Sequence, residues 1–360
     1  MEKTKNVIII IEFVFVLIVM LVANIVKLDD AVSVTERRKL AQFPAFTKNS
    51  VFSGKFASDF DKYAVDQFVR RDSFKEIKYW FSMNIFNQKD SNKMFVKDGS
   101  IYKLEYPLNE NAVKKSAEKL QTVQEKYLKN ANVYYSIIPD KTYYLDDNYL
   151  KMDYEKIEEI MAEKLQDTKY IDIKNILTKD DFYNTDLHWK QENIIKVVNI
   201  LNTNMGIVSQ TNYEEKIAGE FYGTYYGQVG AKVNADTIKY LTNSNIENAI
   251  TYNYETNQYS KVYDLEKFET SSDKYDIYLS GATPLITIEN QNANTDKELL
   301  IFRDSFGSSI APLLLENYKK VTLIDLRYMN GQLLESYIEF SNQDVLMLYS
   351  GTVLNQNILK

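Results

Sequence analysis

The one histidine of this 360-residue chain, His188, lies two residues after Asp186 and directly before Trp189. An acyl-transfer serine needs a base of near-neutral pKa, which imidazole usually supplies, and a carboxylate commonly holds that imidazole in one tautomer. If the chain is a histidine-dependent serine enzyme, its base must be His188, and Asp186 is spaced to orient it. Two alternatives stay open: a histidine that only packs against Trp189, and a metal site with Asp186, which is weak because there is no second histidine.

Ser305 is the candidate nucleophile, in the segment Arg303-Asp304-Ser305-Phe306 between an apolar run and a predicted helix. The first amides of a helix are unpaired and the helix dipole favours negative charge there. Amides near Ser305 and Phe306 are therefore candidates to stabilise a tetrahedral oxyanion, and Arg303 and Asp304 are further near-site candidates. The simpler alternative is that Ser305 only caps the helix.

The elements that must position these residues follow an α/β rhythm. Short apolar runs bounded by turn residues predict strands, and longer runs with helical periodicity predict helices. Alternating strands and helices imply a parallel sheet whose functional loops follow the carboxyl ends of the strands. The predicted strands are 133–138, 170–173, 298–302, 321–326 and 344–350, with a hairpin within 94–104. The predicted helices are about 110–129, 153–166, 190–203, 306–318 and 331–340.

Asp140 and Lys141 follow Pro139, which ends the first of the predicted strands because proline lacks an amide hydrogen. We expect both residues close to the cleft that holds Ser305, since loops at strand carboxyl ends host ligands in open α/β sheets. The alternative is an ordinary surface turn. Between residues 205 and 296 the composition shifts to Tyr, Asn, Thr and Gly, which predicts a β-rich insertion in the α/β domain.

The N-terminus indicates the compartment. Residues 7–26 form an apolar run about as long as a bilayer core requires. Lys3 and Lys5 precede the run, so the charge bias keeps the N-terminus inside and exports the remainder. A cleaved signal peptide is the alternative, although the run is long for one and no clear cleavage site follows it. The predicted organisation is a cytoplasmic tip and transmembrane anchor at 1–28, a connecting helical segment at 29–90 and an α/β domain at 91–360.

Charge and composition exclude several classes of function. The formal net charge is −7 and no basic stripe offsets it, which argues against a nucleic-acid partner. The absence of cysteine excludes disulfides, thiolate metal sites and a cysteine nucleophile, and it is compatible with a bacterial cell exterior. Neither a cofactor nor a metal is expected, and any covalent catalysis must use an oxygen or nitrogen nucleophile.

Several segments in combination resemble the DHHW family, a relative of the alginate O-acetylation proteins within the SGNH-hydrolase-like superfamily. The combination covers most of the chain and is far more specific than any single motif. It implies an SGNH-hydrolase-like (flavodoxin-like) three-layer α/β fold with a parallel sheet. The segments are TDLHW (185–189), QFVRRDSF (67–74), MFVKDGSIY (94–102), SIIPDK (136–141), FYGTYYGQVG (221–230) and LLIFRDSFGSSIAPLL (299–314).

The resemblance also implies a function. In acetyltransferase relatives the Asp and His of a D-x-H segment and the Ser of a D-S-F segment form the catalytic triad, which corresponds here to Asp186, His188 and Ser305. The implied protein is an O-acetyltransferase or acetylesterase of cell-envelope polysaccharide or another acylated glycan. It would be held in the bacterial cell membrane by a single span, with its main domain outside and a membrane-bound O-acyltransferase as partner.

This sequence departs from the family pattern at two positions. Leu187 replaces the first histidine of the motif that gives the family its name, and Arg303 stands where SGNH proteins carry a glycine beside the oxyanion hole. The alternative function is a non-catalytic glycan-binding or assembly protein of the cell envelope, because a fold alone does not confer activity.

Overall fold

The computed structural model describes residues 2–33, 35–208 and 211–360 and divides the chain into two compact units. The N-terminal unit comprises the chain up to Asn92 together with Tyr226–Lys232. The α/β unit comprises Lys93–Tyr225 and Val233–Lys360. All of the candidate site residues named above therefore lie in the α/β unit.

From residue 94 onward, strands and helices largely alternate. The helices are α1 (Glu2–Val26), α2 (Lys48–Phe52), α3 (Lys55–Asp66), α4 (Arg71–Trp80), α5 (Glu110–Tyr127), α6 (Tyr154–Lys164), α7 (Ile195–Asn204), α8 (Tyr226–Val229), α9 (Ser244–Asn248), α10 (Leu265–Thr270), α11 (Phe306–Leu314) and α12 (Gly351–Leu354). The strands are β1 (Val32–Ser33), β2 (Arg38–Lys39), β3 (Met94–Lys97), β4 (Ser100–Lys103), β5 (Asn132–Ile138), β6 (Lys169–Tyr170), β7 (Glu214–Phe221), β8 (Asp236–Thr242), β9 (Ile250–Asn253), β10 (Gln258–Ser260), β11 (Leu285–Glu289), β12 (Glu298–Arg303), β13 (Lys320–Ile324) and β14 (Asp344–Ser350). Short 3-10 helices occupy Lys141–Tyr144, Lys179–Asp181, Gln191–Asn193, Lys274–Ile277, Leu315–Asn317 and Gly331–Ser336, and a π-helix occupies Phe81–Ile85.

Eight strands of the α/β unit form one sheet in the order β10-β9-β11-β13-β12-β14-β5-β6. The five strands from β13 to β6 are parallel to one another, whereas β11, β9 and β10 pair in antiparallel fashion. The predicted α/β fold with a largely parallel sheet is thus confirmed. The Tyr- and Asn-rich stretch supplies these antiparallel strands and a separate hairpin of β7 and β8.

Apolar side chains cover both faces of the sheet. Successive residues of the central strand β12 enter two different clusters, with Leu299 and Ile301 in one and Leu300 and Phe302 in the other, none more than 1% exposed. This alternation follows from the two-residue period of a strand. The first cluster includes side chains of α7 and α11, and the second includes side chains of α5 and α6. A strand with helices on both faces must be apolar throughout, which explains the uninterrupted run that marked β12 in the sequence.

The prediction of a helix at 331–340 is wrong. The chain forms only the 3-10 helix Gly331–Ser336 there. An amphipathic α-helix needs its apolar residues on one face, but Leu334 is buried while its neighbours Leu333 and Tyr337 are 53% and 50% exposed. The apolar residues of this segment therefore do not share one buried helical face.

The strand predicted at 170–173 is shorter than expected. Only β6, Lys169–Tyr170, pairs with β5. Beyond it, the Asp172 carboxylate accepts a hydrogen bond from the Lys174 amide at 2.9 Å, which is a local turn contact that competes with strand pairing. The sheet therefore ends at this edge after two residues of β6.

Helix α1 is long and apolar enough to cross a membrane, and the side chains of its apolar window are not buried. A signal sequence near an N-terminus passes the same test of length and composition. The two interpretations of residues 7–26 therefore both remain compatible with the structure.

We expect Leu300→Ala to lower the free energy of unfolding by about 2–5 kcal/mol, because it removes a buried side chain from the centre of the sheet and leaves a cavity. Leu333→Ala is the matched control, since this leucine is 53% exposed, and we expect a change within about 0.5 kcal/mol. Urea unfolding followed by circular dichroism measures both. Equal destabilisation by the two variants would contradict the assignment of the core.

Candidate active site

Asp186, His188 and Ser305 form a hydrogen-bonded chain. The Nδ1 atom of His188 lies 2.6 Å from Oδ1 of Asp186, and its Nε2 atom lies 2.8 Å from Oγ of Ser305. Because an ionised carboxylate only accepts hydrogen bonds, Nδ1 carries the proton and the lone pair of Nε2 faces the serine hydroxyl. The fold thus joins His188 and Ser305 across 117 sequence positions, in the geometry that activates a serine nucleophile.

Aromatic side chains fix the plane of the His188 ring. Tyr275 stacks on it with the ring centroids 3.9 Å apart and 8° between the planes, and the centroid of Phe306 lies at 4.8 Å. The Tyr275 hydroxyl and the Trp189 Nε1 atom both donate to Oγ of Ser309 at 2.8 Å. Burial raises the pKa of Tyr275 well above its ordinary value, so this hydroxyl keeps the proton that it donates.

The Asp186 carboxylate is fully buried and is held through both of its oxygens. Oδ1 also accepts from the main-chain amide of His188 at 3.0 Å, and Oδ2 accepts from the amide and the hydroxyl of Thr224 at 2.6 and 2.9 Å. A Cβ atom on Gly223 would lie 2.3 Å from the Cβ atom of Asp186. Only glycine at position 223 therefore allows Thr224 to approach the carboxylate this closely.

A second buried carboxylate, Asp236, fixes the turn that carries Asp186. Its Oδ1 atom accepts from the Asn184 amide at 2.8 Å, and its Oδ2 atom accepts from the amide and hydroxyl of Thr185 at 2.7 and 2.6 Å. The same Thr185 hydroxyl accepts from the Gly223 amide at 2.7 Å. Asp236, which lies in the Tyr- and Asn-rich stretch, thus holds the main-chain amides of this turn.

Ser305 is the one residue between positions 299 and 315 that is not buried. It occupies the N-cap position of α11, but its side chain makes no capping hydrogen bond and lies instead against His188. The alternative of a simple helix cap therefore does not describe this serine. Among the described residues its main-chain amide has no hydrogen-bond acceptor, so that amide is free to donate to an oxyanion.

The Phe306 main-chain amide, the second candidate oxyanion donor, is hydrogen-bonded to Asp304. The Phe306 amide donates to Oδ1 of Asp304 at 3.1 Å, and the Ser350 amide donates to Oδ2 at 2.8 Å. The carboxylate therefore ties the end of β12 to the end of β14 beside Ser305. Because the Phe306 amide is already paired, the expectation that it serves as a free oxyanion donor is not met.

Arg303 is fully buried and its guanidinium lies against Asp325 rather than among the groups around the Ser305 hydroxyl. Its Nη1 atom lies 3.7 Å from Oδ2 of Asp325, and its Nη2 atom donates to the Thr283 hydroxyl at 3.5 Å. A Cβ atom on Gly307 would lie 2.6 Å from the Cβ atom of Arg303. Glycine at position 307 therefore makes the room for arginine at 303.

Asp140 and Lys141 are both buried, so the alternative of a surface turn is excluded for them. Lys141 follows the carboxyl end of β5, and its ammonium donates to the carbonyls of Tyr183 and Asn184 at 2.7 and 3.1 Å and to the Ser100 hydroxyl at 3.3 Å. Burial lowers its pKa to about 7 against the opposing influence of nearby carboxylates, among them Asp186.

Asp140 supports the turn that presents this lysine. Its carboxylate accepts from the Thr142 amide and from the Tyr154 hydroxyl, both at 2.9 Å, and burial raises its pKa. It caps the 3-10 helix Lys141–Tyr144. Asp140 therefore supports the position of Lys141, and both of its carboxylate oxygens accept hydrogen bonds from neighbouring groups.

Sequence reasoning missed the residues that hold the Asp186–His188 pair in place. Most of them come from segments that are distant in the sequence, so spacing could not reveal them. The sequence carried one signal, because the segment FYGTYYGQVG (221–230), which contains Gly223 and Thr224, is among those that resemble the DHHW family. The missed residues are Gly223, Thr224, Asp236, Tyr275 and Ser309.

The described residues contain no group of three or more His, Cys, Asp or Glu side chains that could hold a metal ion. The Asp186 carboxylate is instead occupied by hydrogen-bond donors on both oxygens. The arrangement at Ser305 is that of a serine with an oriented imidazole base, and it can carry out acyl transfer.

Comparisons with known proteins agree with this architecture. A DHHW-family protein from Eubacterium siraeum DSM 15702 has 19% identity and a TM-score of 0.60, over 74% of this chain and 93% of that one. Bacillus cereus PatB1, solved with a sulfonyl adduct, has 19% identity and a TM-score of 0.59, over 74% and 97% of the two chains. At such identities these likenesses show the fold.

A more distant likeness is the O-acetyltransferase domain of Pseudomonas putida AlgJ, with 9% identity and a TM-score of 0.44 over 73% of this chain and 92% of that one. No curated protein sequence matches the chain. The sequence model of the DHHW family, described as DHHW protein, matches residues 168–324, which include Asp186, His188 and Ser305. The family recognised from the sequence motifs is therefore confirmed: this chain carries a DHHW-family region at residues 168–324.

Proposed function

We propose that the protein is an SGNH-like O-acyltransferase or esterase that acts on a cell-envelope polysaccharide through Ser305, His188 and Asp186. The observation that carries the proposal is the continuous chain of 2.6 and 2.8 Å contacts from Asp186 through His188 to the Ser305 hydroxyl. The position of the serine after the carboxyl end of a parallel strand, in a sheet covered by helices on both faces, supports the SGNH-like assignment. The glycan substrate rests on the family resemblance.

The first half of the proposed reaction forms an acyl-enzyme. The Ser305 oxygen attacks the acyl carbonyl carbon while its proton passes to Nε2 of His188. Asp186 stabilises the imidazolium through Nδ1, and the Ser305 amide donates to the oxyanion. When the tetrahedral intermediate collapses, the leaving oxygen takes the proton from Nε2 and departs, and the acyl group stays on Ser305.

The second half of the reaction transfers the acyl group. An acceptor hydroxyl gives its proton to Nε2 of His188 and attacks the acyl carbon, and collapse of the second intermediate returns the proton to the Ser305 oxygen. A sugar hydroxyl as acceptor gives an acylated glycan, and water gives hydrolysis. Both outcomes use the same three side chains, so the assignment of the site does not depend on which acceptor prevails.

The proposal includes a retained membrane anchor. Helix α1 has the length and apolar character of a single span, and the lysines at positions 3 and 5 favour an inside N-terminus. The α/β unit would then work outside the cell membrane, where a glycan substrate and a membrane-bound acyl donor are accessible.

We expect Ser305→Ala and His188→Ala each to lower kcat on 4-nitrophenyl acetate by about 10³-fold or more, because the serine is a poor nucleophile without its base. Asp186→Asn should impair turnover by up to about 10⁴-fold through the wrong tautomer of His188. The double variant of Ser305 and His188 should be no worse than either single variant, since the residues act as a unit.

Ser308→Ala is the matched control, because this serine lies in the same helix α11 but outside the Asp186–His188–Ser305 chain. It should retain near wild-type kcat, and thermal unfolding of each variant should show an intact fold. Activity of Ser305→Ala within a few-fold of wild type would contradict the proposed nucleophile. Loss of activity in Ser308→Ala as well would indicate damage to the helix.

Lys141 is proposed as a positioning residue, since it holds the carbonyls of the turn before Asp186. Lys141→Met removes these hydrogen bonds, and we expect a fall in kcat of about 10²-fold from misplacement of the pair. A second readout separates its charge from simple packing. The folded pKa of about 7 lies below the ordinary value of 10.5, so the unfolded chain binds more protons between these pH values and the stability of the wild type rises with pH in that window.

The measurement is the free energy of unfolding of wild type and Lys141→Met from about pH 7 to pH 10. The difference should shift in favour of the wild type as pH rises, because the variant has no such group. Lys129→Met, at an exposed position, should show no such trend. A difference between wild type and Lys141→Met that stays constant with pH would contradict the lowered pKa of Lys141 in the folded protein.

We expect residues 7–26 to remain in the mature protein. Mass spectrometry of the intact protein purified from membranes should find a chain that includes them, since the apolar run lacks a plain cleavage site. A mature N-terminus near Asp29 in the same fraction would contradict the anchor and leave the chemistry of the α/β unit unaffected.

A further inference from the structure

The N-terminal unit carries an exposed group of phenylalanines. Phe43, Phe46, Phe52, Phe56 and Phe60, here called the aromatic surface, lie on α2 and α3 and on the segment before them. Phe52 is 89%, Phe46 76%, Phe43 59% and Phe60 40% exposed. Exposed apolar groups of this kind mark sites of contact with a partner or a membrane.

Four rings of the aromatic surface, those of Phe43, Phe46, Phe56 and Phe60, contact one another, and Phe52 extends the surface as an exposed side chain at the end of α2. Ring centroids are 5.2 Å apart for Phe46 and Phe56, 6.0 Å for Phe43 and Phe60, and 6.1 Å for Phe56 and Phe60. None of the side chains of α2 or α3 is buried. The spacing of Phe56, Phe60 and Tyr63 along α3 places them on one apolar face of the helix. Phe43 packs on this face, which remains partly exposed.

The end of α1 is hydrogen-bonded to the segment that follows α3. The Asn24 side-chain oxygen accepts from the Val69 amide at 2.8 Å. The Gln67 side chain accepts from the Asp30 amide and donates to the Asp30 carbonyl, both at 2.9 Å. These contacts fix α3 to the point where the chain leaves α1.

The position of Asn24 sets the depth of this junction. The apolar run from Val7 to Val26 is about 30 Å long at 1.5 Å per residue, which matches the hydrocarbon core of a bilayer. Asn24 lies about 3 Å before the end of that run. If α1 spans the membrane, the Val69 main chain bonded to Asn24 therefore lies at the boundary between hydrocarbon and headgroups.

Contacts continue from this junction to the aromatic surface. The Tyr63 hydroxyl donates to Asp29 at 3.0 Å, and the ring of Phe43 lies 5.2 Å from that of Tyr63. Phe43 in turn contacts Phe56 and Phe60. An amphipathic helix with phenylalanines on its apolar face lies stably at the boundary of headgroups and acyl chains.

We infer that the aromatic surface inserts into the outer-leaflet headgroup region of the bilayer that α1 spans, so that the N-terminal unit is docked on the membrane at two places. This inference rests on the membrane anchor of the proposed function. The occupant is phospholipid because the surface is continuous, through Tyr63 and Asp29, with the end of the candidate span. A second copy of the chain is the competing occupant.

Nitroxide labels in proteoliposomes of the full-length protein test the inference, and the chain has no cysteine to interfere with single labels. Phe52→Cys reports the aromatic surface, and Leu17→Cys reports α1. Tyr259→Cys is the matched control, an aromatic residue of the α/β unit that is 74% exposed. Collision with oxygen, which enters lipid, and with a water-soluble nickel chelate distinguishes the two environments.

We expect the label at Phe52 to show a several-fold higher ratio of oxygen to nickel collisions than the label at Tyr259, with Leu17 higher still. A water-like ratio at Phe52 together with a lipid-like ratio at Leu17 would overturn the docking and leave the anchor intact. A water-like ratio at Leu17 would overturn both. Shielding of Phe52 from both reagents, with or without spin–spin broadening between copies, would show a protein occupant and also overturn the inference.

Discussion

The buried Asp186 carboxylate is the constraint on which the candidate site depends. A charged group out of water is stable only when its oxygens accept hydrogen bonds, and here His188 supplies them on one oxygen and Thr224 on the other. Thr224 lies 38 positions further along the chain. The Asp186–His188 pair therefore cannot be completed by its own loop, and the Tyr- and Asn-rich stretch is part of the electrostatic support of the site.

Three other buried ionisable side chains also hold main-chain groups in place at the ends of strands. Asp304 and Asp236 accept hydrogen bonds from main-chain amides, and Lys141 donates to main-chain carbonyls. Loops lack the regular pairing of a sheet, so their buried polar groups need such partners. Asp304 consequently holds the serine turn, whereas Asp236 and Lys141 hold the histidine turn. The hydrogen bond from Trp189 to Ser309 joins the two turns directly.

Prediction from the sequence was most accurate where the pattern of apolar residues along the chain follows the burial of their side chains. The run from 344 to 350 was predicted as a strand with the bounds that the structure has, because a strand covered on both faces is apolar throughout. It failed at 331–340, where a helical composition does not form one buried face. It also left open where Arg303 points, since that depends on the room left by Gly307 four residues later. Tyr275, which stacks on His188, could not be found because nothing local marks a contact made across the fold.

The central claim is that Ser305 is a nucleophile activated by His188. Phenylmethylsulfonyl fluoride tests it directly, because an activated serine oxygen displaces fluoride and keeps the sulfonyl group, whereas ordinary hydroxyls react slowly. Intact-mass and peptide analysis of the folded protein should find one sulfonyl group on Ser305, with none in Ser305→Ala or after heat denaturation. A folded protein that stays unmodified, or one that is modified equally in Ser305→Ala, would contradict the account.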